Sequence, residues 1–133
     1  MKHVLVVEDD AHNAALFRKL LEKRCGVTVT VTESVEEVMR LAGSGEIGLV
    51  VMDVSLANSR WEGRPMNGVE LCRRLKADPQ TVGVPVLLAT AHAMRGDAER
   101  LLAESGADDY VAKPIVDHGI FVQQVLHHLE AAA

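Results

Sequence analysis

Cysteine is scarce in this chain, long apolar runs are absent, and there is no basic excess. The two cysteines, Cys25 and Cys72, both fall within helical patterns. So sparse a pair cannot build a disulfide framework, and it reads as two reduced thiols used for packing. The longest apolar run, Ile47–Met52, is far short of the ~20 residues that cross a bilayer. The opening "MKHVLVVEDD" passes from one lysine through a few apolar residues into acids, without the apolar core or cleavage site of a signal peptide. Fourteen Lys and Arg stand against nineteen Asp and Glu, a formal net charge of -5. That balance is wrong for a nucleic-acid or anionic-membrane binder, though it leaves room for a local basic patch. No G-x-G-x-x-G follows the first apolar run, so a dinucleotide-binding reading fails. His3, His12, His118, His127 and His128 show no metal-ligand spacing, and the adjacent pair is expected to point apart on its helix. All five read as structural or surface residues.

What is present is a soluble, globular composition: 133 residues, 48% hydrophobic and 25% charged. The length fits one domain over residues 1–133, large enough to fold without a disulfide or structural metal. His3–Val7 is apolar and β-branched, a buried strand. Ala11–Arg24 has helical spacing at Ala15, Leu16, Leu20 and Leu21, with Asp10 as N-cap and Gly26 just past its end. Val27–Val31 alternates as a strand should. Ser34 and Glu37 form a capping-box signature for a helix Val35–Leu41, which Gly43 and Gly45 end. The strand Ile47–Met52 precedes a long polar loop, 56–67. A helix Gly68–Lys76 then offers Val69, Leu71, Cys72 and Leu75 to the core, and "DPQT" breaks it. A strand Val84–Ala89, a helix Asp97–Ser105, a short strand Tyr110–Ala112 and a helix Ile120–Glu130 complete the chain. The last helix offers Ile120, Phe121, Val125, Leu126 and Leu129. Five strand–helix alternations with nearly continuous apolar strands predict an α/β fold, a parallel sheet covered by helices on both faces. No internal repeat or low-complexity linker interrupts it.

In such a sheet, ligands bind beyond the carboxyl ends of the strands. The residues that follow each strand are therefore telling. Glu8, Asp9 and Asp10 follow the first, Asp53 the third, Thr90 the fourth, and Lys113 with Pro114 the fifth. Three close carboxylates raise one another's pKa unless a cation joins them, and Mg2+ favours one or two carboxylates with water and phosphate oxygens. An acid cluster, a metal, an amine and a hydroxyl suit a phosphoryl group, with Asp53 as nucleophile. An ordinary buried ion pair would account for Asp53 and Lys113 but not for Glu8, Asp9 and Thr90. Asp10 reads as a helix cap rather than a ligand.

The segments "VLVVEDD", "LVVMDVSL", "NGVEL", "LLATAHAMRGD" and "DDYVAKPI", in this order and spacing, resemble the receiver domain of two-component response regulators from end to end. "TAHAMRGDAERLLAESGADDYVAKPI" is similar to stand-alone receivers of the cell-division type and to receivers of hybrid kinases. The resemblance implies a flavodoxin-like, doubly wound (βα)5 fold with strand order 2-1-3-4-5. It implies a bacterial, cytoplasmic phosphoprotein rather than an enzyme turning over external substrates. Asp53 would accept a phosphoryl group from a histidine kinase or histidine phosphotransfer protein. Glu8, Asp9, Asp53 and the Ser55 backbone carbonyl would hold Mg2+. Thr90 and Lys113 would contact the phosphoryl group, and Lys113–Pro114 would be cis. Thr90 and Tyr110 would form the switch. Output would pass to a downstream protein through the face of the fourth helix, fifth strand and fifth helix, or through a homodimer on it. The chain ends with the fifth helix, which implies no DNA-binding output domain.

The long loop departs from the family pattern. Receivers reach the glycine of the "NG" motif soon after the acceptor, whereas "ANSRWEGRPM" intervenes here, and the common proline four positions past the acceptor is Ala57. Such connections usually run ~2–6 residues. The loop is either a tolerated surface insertion or a partner contact beside the site, with Trp61 as anchor and Arg60 or Arg64 pairing with acids or phosphate. His92 either faces the site mouth or is a solvated loop residue. Two rival functions differ in one feature each. A Mg2+-dependent aspartyl-nucleophile phosphatase would carry an acid two residues past Asp53, where this chain has Ser55. A phosphorylation-independent receiver-like adaptor would need none of Glu8, Asp9, Asp53, Thr90 and Lys113.

Overall fold

The computed structural model describes residues 2–56, 60–91 and 96–131, without the side chains of residues 60, 61 and 131. Five strands, β1 (His3–Val7), β2 (Thr28–Thr32), β3 (Ile47–Asp53), β4 (Val86–Thr90) and β5 (Asp109–Ala112), form one sheet. Every pair is parallel, and the spatial order is β2-β1-β3-β4-β5. The connecting helices are α1 (Ala11–Arg24), α2 (Val35–Gly43), α3 (Gly68–Ala77), α4 (Asp97–Ser105) and α5 (His118–Ala131). No helix among the described residues is long and apolar enough to cross a membrane.

Successive residues of a strand face opposite sides of the sheet, and the central strands are apolar at nearly every position. Two cores result. On one side Val4, Val6, Leu49, Val51, Leu87 and Ala89 pack with Phe17, Leu20 and Leu21 of α1 and Phe121, Val125 and Leu129 of α5. On the other Leu5, Val7, Val50, Met52, Val86 and Leu88 pack with Val35 and Val38 of α2 and Leu71, Cys72 and Leu75 of α3. Phe17 and Phe121, 5.5 Å apart between ring centroids, join the two helices of the first side.

Several expected details shift. On α1 Phe17 joins the expected Leu20 and Leu21 in the core, while Ala15 is exposed. On α5 Val122 is buried, whereas Ile120 and Leu126 are exposed. Phe17 stands three and four residues before Leu20 and Leu21 and Val122 three before Val125, so each shares the buried face, whereas Ala15 and Ile120, two residues away, lie about 200° round their helices. Helix α2 continues through Gly43. It ends at Ser44, whose hydroxyl donates to the Leu41 carbonyl at 2.6 Å, and Gly45 takes the positive φ of 85°. Strand β4 starts at Val86 instead of Val84, because Pro85 has no N–H to give the ladder and the Val84 N–H turns back to the Thr81 carbonyl. Half of the capping box forms: Ser34 Oγ accepts the Glu37 N–H at 3.3 Å. The Ser34 N–H goes to Thr32 Oγ1 at 3.0 Å, not to Glu37. The rings of His127 and His128 meet edge to face at 5.3 Å, so they do not simply point apart.

The described part of the long loop, residues 60–67, holds a hairpin. Arg60–Trp61 and Arg64–Pro65 pair antiparallel as a hairpin, and its turn residues Glu62 and Gly63 have φ of 52° and 81°. Positive φ at both central residues is what a two-residue type I′ turn requires. Sequence periodicity could not show these strands, since two-residue strands have no alternation to read.

Candidate functional site

Asp53 is the last residue of β3 and is 3% exposed. Its Oδ1 accepts a 2.7 Å bond from Lys113 Nζ, just past β5, and a 3.1 Å bond from the Ser55 N–H. Lys113 Nζ also lies 3.6 Å from Glu8 Oε1, just past β1. Thr90, last in β4, is buried, and its carbonyl accepts the Lys113 N–H at 2.8 Å. The Lys113–Pro114 bond is cis, as expected. One carboxylate oxygen from each of Glu8, Asp9 and Asp53 lies within 4.8 Å of the others. The parallel sheet thus delivers the ends of β1, β3, β4 and β5 to a single edge.

Burial and charge set the electrostatics. Glu8 is 4% exposed, and both its carboxylate oxygens are buried without a hydrogen-bond partner. Desolvation, then neighbouring Asp53, pushes its carboxyl up to about 8. Burial also pushes Asp53 up, but neighbouring Glu8, together with the bonds from Lys113 and the Ser55 amide, outweighs it and holds Asp53 below the usual carboxylate range. Lys113 loses solvation, which lowers its pKa, yet its bonds and attraction to Asp53 and Glu8 win and raise it. Two oxygens buried without partners are costly. An oxygen-rich, anionic cluster with such orphans fits a hard divalent cation such as Mg2+ better than it fits empty solvent.

One residue is closer to the chemistry than its sequence motif alone indicated. Gly68 opens α3 directly behind the acceptor, and its N–H donates to the Val54 carbonyl at 3.1 Å. A Cβ there would lie 2.0 Å from the Asp53 carbonyl oxygen and 2.9 Å from Val54 Cα. The preceding Asn67 caps the helix, its Oδ1 accepting the Glu70 N–H at 2.9 Å. Only a glycine lets α3 rest on the backbone that carries Asp53.

Tyr110 is half-buried against the α2–α3 side of the sheet. The register pairs Leu88 with Tyr110 and Thr90 with Ala112, so Thr90 and Tyr110 share a sheet face two positions apart. Asp10 caps α1 by accepting the Asn13 N–H at 3.0 Å. His3 bonds Thr30 Oγ1 at 2.7 Å and His128 meets Asp109 Oδ2 at 3.0 Å, both structural uses. Arg64 is exposed on the hairpin. The side chains of Arg60 and Trp61, and residues Ala57 and His92, lie outside the described residues.

The family model "Response regulator receiver domain" matches residues 4–124. The "Polar-differentiation response regulator DivK" of Brucella ovis is 36% identical over 114 residues, covering 86% of this chain and 85% of that protein. Among solved structures, the receiver domain of a sensor histidine kinase from Pseudomonas aeruginosa PAO1, with magnesium coordinated in its active-site cleft, superposes with a TM-score of 0.79. It is 25% identical and covers 97% of this chain and 98% of that one. The signal receiver domain of a histidine kinase from Syntrophus aciditrophicus has a TM-score of 0.80, 27% identity, and coverage of 98% and 92%.

Proposed function

Because this chain belongs to the response regulator receiver family, we propose that Asp53 is its phosphoacceptor in a phosphorelay. The observation that carries the reading is the anchored carboxylate. Asp53 is buried, tied to Lys113 at 2.7 Å and clustered with Glu8 and Asp9. The phosphatase and adaptor readings are not favoured by the family match.

Glu8, Asp9, Asp53 and the Ser55 carbonyl would hold Mg2+. Bound there, the ion supplies positive charge to the oxygens of the transferring phosphoryl group. Lys113 adds a second positive charge and, together with the Ser55 amide, orients the carboxylate. An Asp53 oxygen attacks the phosphorus of a phosphohistidine donor. The new O–P bond forms as the P–N bond breaks, and the bonding pair leaves with the imidazole, which takes a proton from solvent. The lowered pKa of Asp53 keeps it ionised and ready to attack at neutral pH. Once phosphorylated, Asp53 presents new acceptor oxygens. Lys113 and the Thr90 hydroxyl engage them, and Tyr110, on the same sheet face, takes up the space Thr90 leaves. The α4–β5–α5 face then presents a different surface to a downstream protein or to a second copy, a shift between two existing states.

The test is intact mass after incubation with acetyl phosphate and Mg2+. The expected result is a Mg2+-dependent gain of one phosphoryl group that EDTA prevents and Asp53→Asn abolishes. An adduct that persists in Asp53→Asn would reassign the acceptor.

A further inference from the structure

The inserted hairpin builds something outside the phosphoryl site. Its return strand, Arg64–Pro65, and Met66 form one wall of an open groove of about 510 Å³. The other wall is the outer face of α3: Glu70, Arg73, Arg74 and Ala77. Three arginines and one glutamate line it, on a chain whose net charge is -5. The groove is thus a local positive recess on an acidic protein. At physiological ionic strength charges more than ~8 Å away are largely screened, so a ligand in the recess responds to these arginines rather than to the total charge.

The groove is built rather than incidental. Arg73 is held in place by a 3.0 Å bond from its Nε to the Glu104 carbonyl near the end of α4. That fixes the guanidinium without neutralising it, since the acceptor is a backbone oxygen. Arg64 is exposed on the strand opposite. Met66 is half-buried against the core, with Pro65 and Ala77 supplying further apolar surface. A held guanidinium at Arg73 and an exposed one at Arg64, either side of an apolar strip, match carboxylates flanking an apolar side chain. Pro65 has no N–H to offer an added strand, so recognition here runs through side chains.

We infer that the groove between the inserted hairpin and α3 is a docking site for a short acidic segment of a partner protein. The segment lays carboxylates on Arg64 and Arg73 and an apolar side chain on Met66. The groove is also mechanically close to the acceptor. From Met66 the chain runs through Asn67 to Gly68, which rests on the Asp53 backbone. A docked segment therefore bears on the same turn that positions the carboxylate.

The test uses unphosphorylated full-length chain and a panel of fluorescein-labelled decapeptides in which glutamate alternates with each apolar residue type, read by anisotropy. Saturable binding is expected for at least one member. It should weaken roughly tenfold in Arg64→Glu and in Arg73→Glu, and with added salt. Arg64→Glu should still gain a phosphoryl group from acetyl phosphate, so failure of docking and failure of the acceptor reading register separately. The inference is overturned if no member binds below about 1 mM, or if both variants bind as the parent does. Displacement of the peptide by equimolar inorganic phosphate would overturn it in favour of a simple anion site. An arginine-dependent doubling of mass by light scattering would assign the groove to a second copy.

Discussion

Replacing Gly68 with alanine tests whether the start of α3 sets the position of the acceptor. The added Cβ would sit 2.0 Å from the Asp53 carbonyl oxygen, 2.8 Å from its carbonyl carbon and 2.9 Å from Val54 Cα. All three are backbone atoms, so no side chain can rotate away. Ordinary contact begins near 3.4 Å, and helix and strand end must therefore separate by more than about 1 Å in a close-packed interior. Forcing one methyl into such a place costs about 1–3 kcal/mol. Alanine's better helix propensity returns up to ~1 kcal/mol, so urea unfolding should show a net loss of about 1–2 kcal/mol. The effect on chemistry is larger, because a ~1 Å misplacement of a reacting group can cost on the order of 10²-fold. Phosphorylation by acetyl phosphate, followed by intact mass over time, should slow by that order. Gly83→Ala is the control: nothing lies within 4 Å of its Cβ position. If Gly68→Ala matches Gly83→Ala in both stability and rate, α3 does not position Asp53, and the reasoning fails.

Two further outcomes follow from the titrating groups. Folded, metal-free protein holds the Glu8 proton up to about 8 against an ordinary 4.5. It therefore binds more protons than the unfolded chain between those values, and its stability falls as pH rises from about 4.5 through about 8. Asp53 acts in the opposite sense, its contribution present above its ordinary 3.8 and lost as pH falls below it. Glu8→Gln should remove the alkaline loss, up to about 5 kcal/mol at ~1.4 kcal/mol per pH unit, in urea titrations with EDTA, and should weaken Mg2+ binding. A parent chain whose metal-free stability stays level across that window would refute the protonated Glu8. Burial pushes the Cys72 thiol up to about 11; burial raises Cys25 too, but Cys25 is half-buried and keeps contact with solvent. Iodoacetamide should therefore modify Cys25 first and reach Cys72 only on unfolding, as peptide mapping would show.

Much of this was open to sequence reasoning because the signal was local. Alternation of apolar strands with amphipathic helices identified a parallel sheet, and in such a sheet strand ends share an edge. That rule alone gathered Glu8, Asp9, Asp53, Thr90 and Lys113, and the family resemblance supplied the strand order. Two caps were equally legible, since Asp10 and Ser34 act within a few residues of themselves. The hairpin was not, because Arg60–Trp61 and Arg64–Pro65 are too short to carry a period. Phe17 and Val122, by contrast, do carry the helical period, three residues before Leu20 and Val125, and share their buried face. Ala15 and Ile120, two residues away from them, lie about 200° round their helices.

By itself the sequence determined which residue types stand at the end of each strand, and hence what chemistry the sheet edge can hold. Only tertiary structure decided how those charges shift one another, because the pKa of Glu8 depends on burial and on its distance to Asp53 and Lys113. It alone placed a glycine from a later helix against the acceptor's backbone, and three arginines around one groove. Contact distances and desolvation arise between elements remote in the chain, and no local pattern encodes them.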